Sequence, residues 1–420
     1  MIIKYIIFLF IISGLASFTA CGQSNSPKVE QASEDLKDNI LDYAQTDTMT
    51  LKSRLLKGSE VMRRVVSNPD VFKLQIILTQ IDNPLSAAPT LKHYSFHLRP
   101  EEYFNPASTV KLPSAALALE KLDQLRPNGV TEETPMLMEG NGTSCRPSRR
   151  ELLPGSKEVL NLRNLIIAAL VVSEDEAYNA LFEFNGRGFL NHRLNAMGYA
   201  HSRILQKFQP SCGQEQNLWS SEVHFQDKNG KEFYVLNRQQ DSVNWGWPEM
   251  QHTKVGTAWR GASGETGPAR EFRGSNVLPL LELHRMMTVL FHPTIVPKDQ
   301  RFLLSPVSDS LLKAALRMKP SQTGIQKYLS KPYHEAITCY FFCGQNPALR
   351  EPDSLEVYNI VGQAYGFLTE SAYILDKKDQ KAWVLSATIY VNQDGTLNDG
   401  VYEYAKIGFP FLKELSQSLP

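Results

Sequence analysis

Only near its two ends does this 420-residue chain alternate apolar and polar residues with a period of two; the periodic segments between them read as helices. On the N-terminal side, Val71 to Ile81 and Lys92 to Leu98 read as strands, separated by the turn-rich Asp82-Asn83-Pro84-Leu85-Ser86. On the C-terminal side, Leu355 to Gly362, Ser371 to Asp376 and Ala382 to Asn392 read as a meander, closed by a helix from Val401 to Gln417. Strands confined to the two ends predict an α+β fold: one antiparallel sheet drawn from both terminal segments and packed with an all-helical middle. Helices are expected over Lys52 to Val66, from Ser108 onward, and over Leu160 to Val172, Glu176 to Phe184, Phe189 to Met197, Leu278 to Phe291 and Pro306 to Leu316. Residues 211–275 show no clear period and read as an extended insert, in which Trp219, Trp245, Trp247 and Trp259 argue for order and for packing roles. No internal repeat is present.

The first residues, Met1-Ile2-Ile3-Lys4 followed by an apolar run from Tyr5 to Phe18, have the form of an export signal, too short to span a membrane as a helix. Thr19-Ala20-Cys21-Gly22 resembles a bacterial lipoprotein signal, which implies cleavage before Cys21, lipidation of its thiol and a mature protein tethered outside the cytoplasm, in the cell envelope. The expected organisation is therefore a signal peptide over 1–20, a polar tether over 21–50 and one domain over 51–420 that contains the insert. The chain carries 44 basic and 44 acidic residues, which excludes the electrostatic footprint of a nucleic-acid binder. Besides Cys21 there are Cys145, Cys212, Cys339 and Cys343; an exported chain permits disulfides, and four cysteines allow three pairings among which the sequence does not choose. Cys339 and Cys343 have no histidine at ligand spacing other than His334, so no metal site is expected.

Chemistry concentrates in Phe104-Asn105-Pro106-Ala107-Ser108-Thr109-Val110-Lys111, which runs into the apolar helix ending near Leu122. Positions three apart share a helix face, so an amine at Lys111 lies one turn from the hydroxyl of Ser108. Asn105-Pro106 supplies a helix start, and the first-turn N–H groups favour an oxyanion formed at Ser108. The four-residue pattern is weak alone. A second signal, Ser173-Glu174-Asp175-Glu176-Ala177-Tyr178-Asn179, follows the predicted buried helix, 65 residues beyond Ser108.

In order and spacing, the two together resemble the penicillin-recognising serine enzymes, specifically the class A β-lactamase and transpeptidase-like group, from about Asp70 to the C-terminus. In that family a strand pair precedes a Ser-x-x-Lys helix, followed by a Ser-Asp-Asn loop with Ala-x-Asn just beyond, and later by a Lys-Thr-Gly strand and a closing helix. The resemblance implies that Ser108 is the nucleophile, that Lys111 accepts its proton or orients the base that does, and that Ser173 passes a proton to the departing group. Asp175 stands at the family's asparagine; the resemblance implies that it hydrogen-bonds near Lys111 or the substrate amide, although a carboxylate there favours the charged form of Lys111. No cofactor or metal is implied, and the expected partners are a small-molecule or peptide amide or ester and a membrane reached through the lipid anchor.

Two departures stand out. The family's deacylating glutamate lies in a Trp-Glu-Pro-like segment, and the best match here is Phe208-Gln209-Pro210, whose Gln209 cannot act as a base. The strand matching Lys-Thr-Gly is Asn359-Ile360-Val361-Gly362-Gln363, with Ile360 for the lysine and Val361 for the hydroxyl residue. Gly362 still allows close backbone approach, and the Gln363 N–H is expected to complete an oxyanion hole with that of Ser108. Lys254-Val255-Gly256-Thr257 is a competing match that comes too early in the chain. A trypsin-type triad is not indicated, with His224, His252 and His284 reading as surface or helix residues. Two functions follow: a tethered serine acyl-transfer hydrolase, slow on β-lactams, or a catalytically dead relative that binds a cell-wall peptide or partner protein in the same cleft.

Overall fold

The computed structural model describes Tyr43 and residues 47–86, 88–143, 145, 149–208 and 212–418. The expected signal peptide, Cys21, nearly all of the tether and Gln209 lie outside these described residues. In chain order the strands are β1 (Gln75–Asp82), β2 (Thr90–Phe96), β3 (Met136–Glu139), β4 (Arg149–Arg150), β5 (Glu222–Gln226), β6 (Glu232–Leu236), β7 (Lys254–Arg260), β8 (Thr266–Glu271), β9 (Leu355–Ala364), β10 (Phe367–Asp376), β11 (Lys381–Tyr390) and β12 (Thr396–Leu397). The α-helices are α1 (Thr48–Leu55), α2 (Glu60–Ser67), α3 (Lys111–Leu125), α4 (Leu162–Val171), α5 (Asp175–Asn185), α6 (Arg187–Ala196), α7 (Leu280–Phe291), α8 (Pro306–Arg317) and α9 (Phe409–Gln417).

The terminal strands form the expected sheet, antiparallel and five-stranded in the order β2-β1-β11-β10-β9. Both faces are covered, so β1, β10 and β11 are buried along nearly their whole length. One face carries Ile76 and Leu78 of β1, Leu385, Ala387 and Ile389 of β11 and Ala372 and Ile374 of β10, and buries them against α1, α2 and α9. The other face presents Ile81, Val384, Tyr373 and Ile360 to the core of the middle helices α3 to α8. Alternation places Ile360 and Gly362 on this second face and Val361 on the first.

The second face also carries a buried polar row. His284 of α7 brings its two ring nitrogens within 2.8 Å of Thr79 Oγ1 on β1 and Ser386 Oγ on β11, and Ser386 Oγ lies 2.7 Å from Ser371 Oγ on β10. Each hydroxyl and ring nitrogen has a partner, which offsets the desolvation of burying them. His284 is thus a helix residue, but a fully buried one; burial holds its imidazole well below the usual histidine range. His252 is exposed, and His224 on β5 pairs with Glu222 and Glu232.

Three expectations need correction. The predicted helix over 52–66 is two helices: Gly58 leaves no room for a side chain beside Met62, and Ser59 caps α2 by accepting from the Met62 N–H. Glu414 of α9 accepts from the Ser59 N–H, which ties the terminal helices together. The closing helix begins at Tyr404 with a π-turn rather than at Val401. The middle is not entirely helical, because the insert over 211–275 carries two antiparallel hairpins: β5-β6 extends a small sheet ordered β4-β3-β5-β6, and β7-β8 joins β12 in another. The insert's tryptophans pack as expected: Trp245 stacks on Trp247 at 5.6 Å, and Arg238 and Arg270 lie over Trp219 and Trp259. The four cysteines pair as Cys145–Cys212 and Cys339–Cys343. Among the described residues no helix is long and apolar enough to cross a membrane.

Candidate active site

Ser108 lies in a single 3-10 turn, Ala107–Val110, that leads directly into α3. The turn is held by Asn105, whose side-chain oxygen accepts from the Ala107 N–H at 2.9 Å, and by the Thr109 hydroxyl, which donates to the Pro106 carbonyl at 2.7 Å. Ala107 has a φ of 45°, a left-handed conformation that costs a residue with a Cβ about 1–2 kcal/mol. The turn packs against the end of β9. A Cβ on Gly362 would lie 2.6 Å from the Pro106 carbonyl oxygen and 3.3 Å from Ala107 Cβ, so only glycine lets strand and turn approach this closely.

Lys111 opens α3 and is fully buried, yet its amine reaches the cleft. Its Nζ lies 2.9 Å from Ser108 Oγ, 3.0 Å from Ser173 Oγ, 2.6 Å from the Ser173 carbonyl oxygen and 2.7 Å from Asp175 Oδ1. That is four oxygens for the three N–H groups of an ammonium. Two of the four, the carbonyl and the carboxylate, are acceptors only. The same shell therefore suits a neutral amine, which gives its two N–H groups to them and keeps its lone pair for a hydroxyl proton. Burial pushes Lys111 below the usual lysine range, against the opposing pull of Asp175 and, further off, of Glu174.

The Ser173 loop is built by its flanks. Asn161 caps α4 by accepting from the Asn164 N–H, and this apolar helix delivers the chain to Ser173, whose φ is 56°. Ala107 and Ser173, two of the non-glycine residues in left-handed conformations, thus flank the Lys111 amine, and backbone strain of this kind is often found at functional sites. Glu174, at the position of the family's aspartate, turns to Lys327 at 2.6 Å and takes no direct part in the shell around Lys111. Asp175 begins α5 with its side chain 58% exposed at the mouth of the cleft.

Several contributors have no local sequence signal. The Phe208 ring lies 5.5 Å from Lys111 Nζ and stacks on Tyr178 at 4.4 Å, closing the amine off from that side. Its backbone is pinned by Asn179, whose Oδ1 accepts from the Phe208 N–H at 2.8 Å. Asn276 accepts from the N–H groups of Leu205 and Gln206, and the buried Lys207–Glu183 pair at 2.6 Å anchors the same segment. These partners come from the far side of the insert or from α5, so no spacing in the sequence joins them.

Of the predicted site residues, Ser108, Lys111, Ser173 and Asp175 come together within hydrogen-bond reach of one amine, and Gly362 abuts the Ser108 turn. Gln363 is exposed at the end of β9, with Tyr340 donating to its Oε1 at 3.5 Å. Ile360 and Val361 are buried on opposite faces of the sheet. The competing Lys254-Val255-Gly256-Thr257 segment lies in β7, outside the main sheet. Residues 89–401 match a family described as "Beta-lactamase enzyme family". Among solved structures, a beta lactamase from Xanthomonas campestris pv. campestris str. ATCC 33913 is 15% identical, covering 90% of this chain and 97% of that one with a TM-score of 0.46. One from Burkholderia vietnamiensis is 13% identical, covering 89% and 96% with a TM-score of 0.48. The chromosome-encoded beta-lactamase of Vibrio parahaemolyticus is 12% identical, covering 85% and 97% with a TM-score of 0.46. No curated protein matches the chain in sequence.

Proposed function

The chain belongs to the beta-lactamase enzyme family, and on that premise we propose that it is a serine acyl-transfer hydrolase, tethered to the membrane through Cys21, that forms an acyl-enzyme on Ser108 from an amide or ester. The observation that carries this reading is the buried Lys111 amine, within 3.0 Å of the hydroxyls of both Ser108 and Ser173. In the acylation step Ser108 Oγ bonds to the acyl carbon as its proton passes to neutral Lys111. The carbon–nitrogen or carbon–oxygen bond to the leaving group then breaks, and Ser173 relays the proton from Lys111 to the departing atom. The Ser108 and Gln363 N–H groups serve as oxyanion donors.

Hydrolysis of the acyl-enzyme needs a base for water, and Gln209 offers hydrogen bonds but no proton acceptance. The acyl-enzyme therefore persists, and penicillin turnover is weak at most. A second reading, a binding protein without turnover, is favoured by the 2.7 Å ion pair between Lys111 and Asp175, which supports the charged, non-basic amine. Intact-mass measurement after exposure to a fluorophosphonate or a fluorescent penicillin separates the two. One adduct on the Ala107 to Lys111 peptide, absent in a folded Ser108→Ala variant, is expected; no adduct, or labelling that survives in the variant, sinks the enzymatic reading.

A further inference from the structure

We propose that the site selects an acyl donor carrying an ammonium group close to its acyl carbon, and that Asp175 is the residue that recognises it. This rests on the reading of Ser108 as the nucleophile. Asp175 gives Oδ1 to Lys111 and is otherwise open at the cleft mouth, with its side chain 58% exposed. An ionised carboxylate only accepts hydrogen bonds, whereas the amide found here in the resembling family also donates. A substrate that offers a carbonyl oxygen to this position sets acceptor against acceptor. One that offers an N–H on a cation gains a charge-assisted hydrogen bond.

The facing wall agrees in sign. Ile360 is 3% exposed and Val361 is buried in the opposite core, while Gly362 has no side chain and Gln363 is neutral. Among the described residues the cation bonded to Ser108, Ser173 or Asp175 is Lys111, itself fully buried. The nearby Lys327 is engaged by Glu174. Of the described groups in this shell, those open to an entering ligand are thus the serine hydroxyls and the Asp175 carboxylate, with the Lys111 charge buried behind them.

Recognition is also coupled to activation. The charged groups acting on Lys111 are Asp175 and Glu174, both of which favour its ammonium form, while Phe208 closes its remaining side. A substrate ammonium seated on Asp175 screens that carboxylate and adds a like charge beside the amine, and both effects favour neutral Lys111. The form that can take the Ser108 proton is produced by the ligand that fits.

The test uses ethyl thioesters of alanine, N-acetylalanine and N-succinylalanine, which carry an ammonium, no charge and a carboxylate. Acylation forms the Ser108 Oγ–carbon bond and breaks the carbon–sulfur bond, and the proton from Ser108 leaves on the ethanethiol by way of Lys111 and Ser173. The second-order acylation rate is read from thiol release at pH 6.5, with the Ser108→Ala protein as blank, beside fluorophosphonate labelling of the same preparations. The alanine thioester should acylate about tenfold faster than the N-acetyl one, with the N-succinyl one slowest. Asp175→Asn should bring the three to within about twofold of one another, a tenfold preference being roughly the weight of one charge-assisted hydrogen bond. In the acylation rate at saturating substrate, which reports the enzyme–substrate complex, the acidic limb should lie lower for the alanine thioester than for the N-acetyl one in the wild type, and the two limbs should coincide in Asp175→Asn. Equal rates, or a preference for the anion, with labelling intact would overturn the inference and leave the acyl-enzyme reading standing. Absence of both labelling and thiol release removes that reading and the inference with it.

Discussion

Helix α5 is gripped at both ends by lysines from a single neighbour, α3, and the two ends are opposites. At its start, Lys111 meets Asp175 and the Ser173 loop. At its finish, Lys121 donates to the carbonyls of Phe184 and Asn185 at 3.0 and 2.8 Å, with no ion-paired carboxylate among the described residues. Both amines are buried, and burial pushes Lys121 down to about 8. Helix partial charges are positive at the N-terminus and negative at the C-terminus, so a cation at Lys121 is in a favourable place and one at Lys111 is not. Around Lys121 the protein uses backbone carbonyls, which fix geometry and take no proton. Around Lys111 it adds to one backbone carbonyl two hydroxyls and a carboxylate, groups that can exchange or redirect a proton. A buried amine is thus structural or chemical according to which end of the same helix it meets.

The widest separation of the two is expected from exchanging each for methionine. Lys111→Met should reduce fluorophosphonate labelling of Ser108 by about a thousandfold, within the usual range for loss of a general base. Lys121→Met should leave the labelling rate within a few-fold of wild type. Equal losses in the two variants would mean that Lys111 acts by holding the fold.

Gly362→Ala sharpens the contrast by moving the Ser108 turn while leaving both lysines in place. Its new methyl group must displace the Pro106 carbonyl, and a shift of about 1 Å at a reacting group costs up to about a hundredfold. Labelling should fall by roughly that factor and the urea midpoint should drop as well, since the displaced atom is backbone, and an unaffected rate would show that strand and turn are not coupled.

The smallest effect lies in the pH dependence of stability. The Lys121 value in the folded protein, about 8, is below its ordinary 10.5, so between these values the unfolded chain binds more protons and stability rises with pH. From pH 8 to pH 10 the wild type should gain up to about 2 kcal/mol relative to Lys121→Met, measured by urea unfolding of the two proteins side by side. A constant difference across that range would show that Lys121 is not desolvated.

The helix that carries Lys111 and Lys121 was legible in the sequence, as were Ser173 and the five strands of the main sheet, because each depends on spacing within a few residues. The two hairpins of the insert were not. Of their strands β6 and β8 lie at sheet edges, β8 running Thr266-Gly267-Pro268-Ala269-Arg270-Glu271 with no apolar alternation to read, and the alternation of β5 spans five residues alone. The break at Gly58-Ser59 depends on Glu414, and the covering of Lys111 by Phe208 depends on Asn179 and Asn276, all contacts between distant segments. His284 looked like an ordinary helix residue because its partners, Thr79 and Ser386, come from strands at opposite ends of the chain.

The place of β1 in the sheet also sets the timing of assembly. It sits between β2 and β11, with Gln75 opposite Thr388 and Asp82 opposite Lys381, so its second neighbour is translated some 300 residues later. At about 5–20 residues per second, that interval lasts roughly 15–60 seconds on the ribosome. Throughout it the apolar run Ile76-Ile77-Leu78 has one unpaired edge, the kind of edge that recruits other chains. The finished sheet closes only once the last strands have emerged, so the nascent chain depends on being kept apart from its neighbours until then.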